Sequence, residues 1–105
     1  MDRKKLDKLS AALADAWNSP QTEGDLRALA RAAGRRERTG GKHVVWVTDH
    51  FPHRPFPIPT HGNSSVSLGV RKVILAALEN DVAAWEDVLE AEQKQKAEDG
   101  GRNGA

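Results

Sequence analysis

Residues 35–48 read Arg-Arg-Glu-Arg-Thr-Gly-Gly-Lys-His-Val-Val-Trp-Val-Thr, a pattern that predicts a β-hairpin. A short strand over 35–39 is followed by Gly40-Gly41, and paired glycines between two strand-like runs favour a tight turn. The run 43–48 is rich in β-branched residues, which is typical of a strand. The hairpin is therefore the central element of the predicted fold.

Two amphipathic helices are predicted before the hairpin. The second is capped by Thr22, has Asp25 in a capping-box position, and has Gly34 where a C-terminal cap belongs. The first should end at Asn18-Ser19-Pro20, and its apolar residues recur at three- and four-residue spacing: Leu6, Leu9, Leu13, Ala16 and Trp17.

The segment 55–59 alternates Pro with apolar residues. Because Pro has no N–H to donate to a ladder, this segment is predicted to be an edge strand or an extended segment that pairs on one side only. A third helix follows Ser67 and is interrupted at Asn80 or Asp81, and a last helix follows that interruption. The prediction is an α+β fold with a three-stranded antiparallel sheet packed by helices, including an additional N-terminal helix and a C-terminal helix.

The length of 105 residues suits one domain with a small core. We expect a helical extension over 1–20, the main domain over 21–91, and a polar, disordered tail over 92–105. The longest apolar run, 73–78, is too short to span a membrane, and the charged N-terminus predicts no secretory signal. The absence of cysteine excludes disulfide scaffolds and thiolate chemistry, and the predicted location is cytoplasmic.

The net charge of +1 conceals an uneven distribution. Residues 24–78 hold nine Lys/Arg and three Asp/Glu, a net charge of +6, whereas residues 79–105 have a net charge of −5. A basic segment of this kind suits a polyanionic partner such as RNA, although a solvated basic face has the same pattern.

All four histidines lie between residues 43 and 61, within the basic segment. Histidine exchanges protons near neutral pH, and RNA supplies its own nucleophile, the 2′-hydroxyl. Histidine together with cations is therefore sufficient for RNA cleavage without a metal. His43 follows two glycines and Lys42 and is predicted to share a strand face with valines, which is also the pattern of a structural histidine.

Three other features have alternative interpretations. His61 is a candidate second acid or base, or a structural residue. Trp46 either stacks on a base or belongs to the core. His50 and His53 have the spacing of two metal ligands, but a structural site needs about four ligands, so no metal is predicted.

Four stretches, in their order and spacing, resemble the HicA (YcfA-like) toxins of bacterial toxin–antitoxin systems, which are messenger-RNA interferases. They are 26–34 (LRALARAAG), 41–46 (GKHVVW), 58–62 (IPTHG) and 68–74 (LGVRKVI). The similarity extends over residues 24–90. Two positions depart from the family pattern: Lys42 stands in place of a serine, and Val70 in place of a threonine.

The resemblance implies a fold like that of a double-stranded-RNA-binding domain (dsRBD) and places His43 at the position of the catalytic histidine. It also implies metal-independent cleavage of mRNA and a HicB-like antitoxin protein as partner. We expect Lys42, Arg36, Arg38 and Arg71 to contact RNA phosphates, because they lie in the basic segment near the glycine turn or a helix start. No cofactor and no membrane contact are expected.

The hypothesis drawn from the sequence is thus a metal-independent endoribonuclease, the toxin of a type II toxin–antitoxin system. The alternative is a non-catalytic RNA-binding module in which Lys42 has changed the site. A third interpretation is a protein–protein adaptor whose basic surface meets an acidic partner.

Overall fold

The computed structural model describes residues 1–40, 43–60, 62 and 64–103. The described residues form three helices and two strands: α1 (Arg3–Ala16), α2 (Glu23–Ala32), β1 (Arg35–Gly40), β2 (His43–Thr48) and α3 (Leu68–Asn103). The predicted α+β class is confirmed. None of the helices in this part of the chain is long and apolar enough to span a bilayer.

Helix α1 begins and packs as its sequence predicts. Asp2 caps it by accepting a hydrogen bond of 2.7 Å from the Lys5 N–H. The predicted apolar face is buried, with Leu6, Leu9 and Leu13 at most 3% exposed. This face packs mainly against α3, so α1 contributes to the same core as the rest of the chain.

Helix α2 has the predicted caps at both ends. The Thr22 side chain accepts from the Asp25 N–H, and the Asp25 carboxylate accepts from the Thr22 N–H, which completes the capping box. At the other end Gly34 has φ +92°, a conformation that side chains with a Cβ rarely adopt. A Cβ at this position would also lie 3.2 Å from the His50 ring.

The predicted hairpin is confirmed. Strands β1 and β2 pair antiparallel in a register that sets Arg35 opposite Thr48 and Gly40 opposite His43. Gly41 and Lys42, which complete the predicted turn, lie outside the described residues.

The predicted third strand is reduced to a single bridge. Phe56 exchanges two backbone hydrogen bonds with Trp46, of 2.8 and 3.2 Å, on the edge of β2 opposite β1. Two residues earlier, where the ladder would continue, the Arg54 carbonyl accepts a hydrogen bond from the Arg35 side chain instead. In the described residues the sheet is two-stranded, and the predicted third strand is not confirmed.

Helix α3 is continuous, and the predicted interruption at Asn80 or Asp81 is wrong. Asp81 fits within the helix because it lies on the buried stripe and has charged partners there. The helix also continues to Asn103 through a segment expected to lack regular structure. Residues 91–97 are exposed, and their Glu, Gln, Lys and Ala residues are good helix formers.

The core lies between the three helices and one face of the hairpin. Ile74, Leu75 and Leu78 of α3 meet Leu26 and Ala30 of α2 in a cluster that also includes the following residues: Leu9, Leu13, Ala16, Ala33, Trp46, Phe56, Ile58 and Val66. This packing holds the hairpin and the 49–56 segment against the middle of α3.

Candidate functional site

Two predicted phosphate contacts lie on one face of the hairpin. Arg36 and Arg38 are exposed on β1, opposite Val47 and Val45 on β2. His43 begins β2 and has the same strand parity as these two valines, but its side chain lies outside the described part of the structure. We call Arg36, Arg38, Val45 and Val47 the basic hairpin face.

Arg36 is already paired with a carboxylate. Its Nε and Nη2 donate to Asp49 at 2.7 and 3.1 Å, and both side chains are exposed. The hydrogen bond from Arg36 holds the pKa of the Asp49 carboxyl below its usual value. The pair is therefore intact at neutral pH and is lost as the pH falls through that lowered pKa. By contrast, no ion pair joins Arg38 to another described residue.

Arg71 is packed against helix α1 rather than presented to solvent. It is half-buried, its Nη2 donates to the Trp17 carbonyl at 3.4 Å, and its Nε is buried without a partner among the described residues. In this position Arg71 has less freedom to reach a phosphate than Arg38.

Trp46 belongs to the core. Its side chain is 2% exposed, and the guanidinium of Arg31 lies over the ring, 5.2 Å from the centroid. A ring enclosed in this way has no open face for a base, which corrects the stacking interpretation and favours the core alternative. Two other predicted site residues, Lys42 and His61, lie outside the described residues and remain predictions.

A buried cluster that sequence reasoning missed joins β1, α3 and the 49–56 segment. The Nε and Nη2 of Arg35 donate to the two Asp81 oxygens at 2.6 and 3.0 Å. The Nδ1 of His53 lies 2.7 Å from Asp81 Oδ1. Arg35 also donates from Nη1 to the carbonyls of Trp46 and Arg54, both at 3.1 Å. We call Arg35, Asp81 and His53 the buried ionic cluster.

One sequence signal pointed to this cluster. Asp81 follows Ile74 and Leu78 and precedes Trp85 at spacings of four, three and four residues, so it lies on the apolar stripe of the helix. A carboxylate on a buried stripe requires a charged partner. Its partners were unpredictable, because Arg35 and His53 are 46 and 28 residues away in sequence.

Two members of the buried ionic cluster, Arg35 and His53, line an open groove of about 470 Å³. Arg54 and a stripe of α3 complete its lining: Ala77, Asn80, Ala83, Ala84 and Asp87. We call this cavity the His53 groove. His53 is the histidine of the cluster, and its side chain is 29% exposed.

His50 and His53 do not converge on one point. His50 packs against Trp85, with ring centroids 4.7 Å apart and planes tilted by 53°, whereas His53 contacts Asp81. Within the described ranges, no three His, Cys, Asp or Glu side chains are grouped as a metal site.

Comparison of the chain with protein-family models, with curated proteins and with solved structures gave no match. The similarity to HicA toxins therefore rests on the four sequence stretches alone.

Proposed function

We propose that this protein is a HicA-type toxin, a metal-independent endoribonuclease that cleaves mRNA with His43 as the acid–base residue. The observation that carries the proposal is the hairpin register. Residues 43, 45 and 47 alternate along β2 and so belong to the same face of the strand. The β1 partners of Val45 and Val47 are Arg38 and Arg36, which are exposed cations.

The order of elements supports the same proposal. A helix, a hairpin, an extended segment with one antiparallel bridge and a second helix follow each other from α2 to α3. This is the order of the dsRBD-like fold implied by the resemblance, with the third strand shortened to Phe56. In this proposal α1 is an added helix that covers apolar surface of α3.

The chemistry requires three actions at one phosphodiester. His43 takes the proton from the 2′-hydroxyl, and the 2′-oxygen then attacks phosphorus. The bond to the 5′-oxygen breaks, and this oxygen accepts a proton, from His61 in the two-histidine version of the mechanism. Lys42 and Arg38 stabilise the charge that develops on the phosphorane oxygens. The products are a 2′,3′-cyclic phosphate and a 5′-hydroxyl.

The partner in this proposal is a HicB-like antitoxin that covers the basic hairpin face in the cytoplasm. Such a protein would present carboxylates to Arg38 and Lys42 and would exclude RNA by occupying the same cations.

The test is incubation of the purified protein with a long mRNA in excess chelator, comparing the native chain with His43→Ala. We expect cleavage by the native chain and a loss of at least about 100-fold in His43→Ala, which is the range for removal of a general acid or base. Lys94→Ala, an exposed change on α3, is the matched control and should cleave normally. Circular dichroism of each variant verifies folding.

Other outcomes decide between the alternatives. Cleavage by both the native chain and His43→Ala would reject His43 as the acid–base residue. RNA binding without cleavage by either form would favour the non-catalytic module, since Lys42 stands where the family motif has a serine. The variant His61→Ala tests the second histidine. An unchanged rate of RNA cleavage would show that His61 is not an acid or base in the reaction and has only a structural role.

A further inference from the structure

In the buried ionic cluster, His53 has the arrangement of a histidine base that a carboxylate orients. Asp81 is 0% exposed, and both of its oxygens accept hydrogen bonds from Arg35, so its position is held from two sides. Its Oδ1 also accepts from His53 Nδ1 at 2.7 Å. Because a carboxylate can only accept, Nδ1 carries a proton, and in the neutral ring Nε2 is then the proton acceptor. His53 Nε2 makes no hydrogen bond to any described residue.

The lining of the groove beside His53 limits which nucleophile a reaction there can use. Among the described residues that line it, there is no Ser, Thr, Cys, Tyr or Lys that would serve as a nucleophile. A reaction there must use either water or a hydroxyl of the ligand, with His53 moving the proton. The volume of about 470 Å³ suits a small ligand such as one nucleotide.

The charges of the lining favour a phosphate near one end. Arg54 is exposed and lies next to His53 in sequence, while Asn80 adds an amide to the lining from α3. Asp87 would repel a phosphate, but it lies seven residues beyond Asn80 on α3, a rise of about 10 Å. A phosphate bound between Arg54 and Asn80 thus avoids the Asp87 carboxylate.

The His53 groove and His43 lie at opposite ends of the hairpin. His53 and Arg35 are near the end of the hairpin where Arg35 pairs with Thr48, whereas His43 lies at the other end of β2. Five residues of strand separate His43 from Thr48, or about 17 Å. The two histidines therefore cannot act on the same phosphorus atom.

We propose that the His53 groove hydrolyses the 2′,3′-cyclic phosphate of a ribonucleotide or RNA end, with His53 as general base and Asp81 as the residue that orients it. The choice of this substrate rests on the proposed function, because metal-free cleavage through the 2′-hydroxyl produces this cyclic ester. His53 Nε2 takes a proton from water while the water oxygen bonds to phosphorus. The bond from phosphorus to the 2′-oxygen breaks, and this oxygen takes the proton back from Nε2. Cyclic ester and water thus become a 3′-phosphate and a free 2′-hydroxyl.

The test uses the full chain, excess chelator and adenosine 2′,3′-cyclic monophosphate as the probe, followed by ³¹P NMR. We expect conversion to adenosine 3′-phosphate above the rate without protein, and a loss of at least about 100-fold in His53→Gln. Arg54→Ala should raise KM with little change in kcat, which distinguishes phosphate binding from proton transfer. Lys94→Ala is the control, and circular dichroism verifies the fold of each variant.

Failure of this inference differs from failure of the proposed function. If the native chain cuts mRNA but does not convert the probe, or if His53→Gln converts it at the native rate, the hydrolysis proposal is overturned. If the probe is hydrolysed through His53 while mRNA stays intact, the groove assignment stands and the mRNA interferase assignment falls.

Discussion

Asp81 illustrates how one side chain is held by groups far away in sequence. Its carboxylate is out of contact with solvent and lies between Arg35 and His53. Arg35 also lies over the Phe56 ring, 4.5 Å from its centroid. Arg35 therefore connects β1 with α3 and with the bridging segment, while Asp81 orients the candidate base His53.

The pair of Arg35 and Asp81 yields a stability prediction. Replacement Asp81→Ala leaves the Arg35 guanidinium buried without its counter-charge, and we expect a loss of about 3–5 kcal/mol in the free energy of unfolding. Urea unfolding followed by circular dichroism measures this difference. The control Asp87→Asn, an exposed change six residues along the same helix, should remain within about 0.5 kcal/mol of the native value.

A double replacement separates loss of a partner from loss of packing. Arg35→Met with Asp81→Leu removes both charges, so the double variant should recover a large part of the stability lost in Asp81→Ala. A double variant no more stable than Asp81→Ala would show that charge compensation is not the main role of the pair.

At the scale of elements, α1 has a structural role. Its residues Leu9 and Leu13 belong to the core cluster with α2 and α3. Polar contacts also connect it to α3: Arg3 meets Glu86 at 2.6 Å, and the Trp17 indole donates to Glu79. The main domain is thus expected to depend on α1 for stability.

Leucine truncation tests this dependence. Leu13 of α1 is 2% exposed, and we expect Leu13→Ala to lower the free energy of unfolding by about 2–5 kcal/mol because it leaves a cavity. Leu68→Ala makes the same chemical change at a residue that is 52% exposed and should cost less than about 0.5 kcal/mol. Equal losses at the two sites, in thermal or urea unfolding, would contradict a core role for α1.

Across the whole molecule, the charges are divided between two regions. The segment 24–78 has a net charge of +6 and contains the hairpin, whereas 79–105 has a net charge of −5 and forms most of α3. A polyanion would therefore approach the hairpin side, where Arg38 is exposed, and would be repelled by the second half of α3.

The salt dependence of RNA binding tests this division. Removal of one cation that binds a phosphate should reduce the slope of log affinity against log salt concentration by about 0.7 for a single strand. We expect this change for Arg38→Ala and a smaller one for Arg36→Ala, because Asp49 already neutralises Arg36. Fluorescence anisotropy with a labelled 2′-O-methyl RNA measures binding without cleavage through the 2′-hydroxyl.

Lys94→Ala is the matched control for this measurement, since Lys94 lies in the acidic half of the chain. Its slope should equal that of the native protein. Equal slopes for the native chain and Arg38→Ala would contradict an RNA contact at the basic hairpin face.

Local patterns were sufficient to predict the elements that depend on neighbouring residues. The apolar spacing of α1, the capping box of α2, the positive φ of Gly34 and the hairpin all followed from residues within a few positions of each other. Such features depend on backbone geometry and local hydrogen bonds, which act over one or two turns.

Tertiary packing determined the features in which distant residues meet. Asp81 reads locally as a helix interruption, yet Arg35 compensates its charge, His53 donates a hydrogen bond to it, and α3 continues through it. Trp46 in a valine-rich strand is more typical of a core residue than of a stacking platform, and its burial beneath Arg31 agrees with the core interpretation. The free energy of burying a charge or a ring depends on which groups surround it, and those groups come together only when the chain has folded.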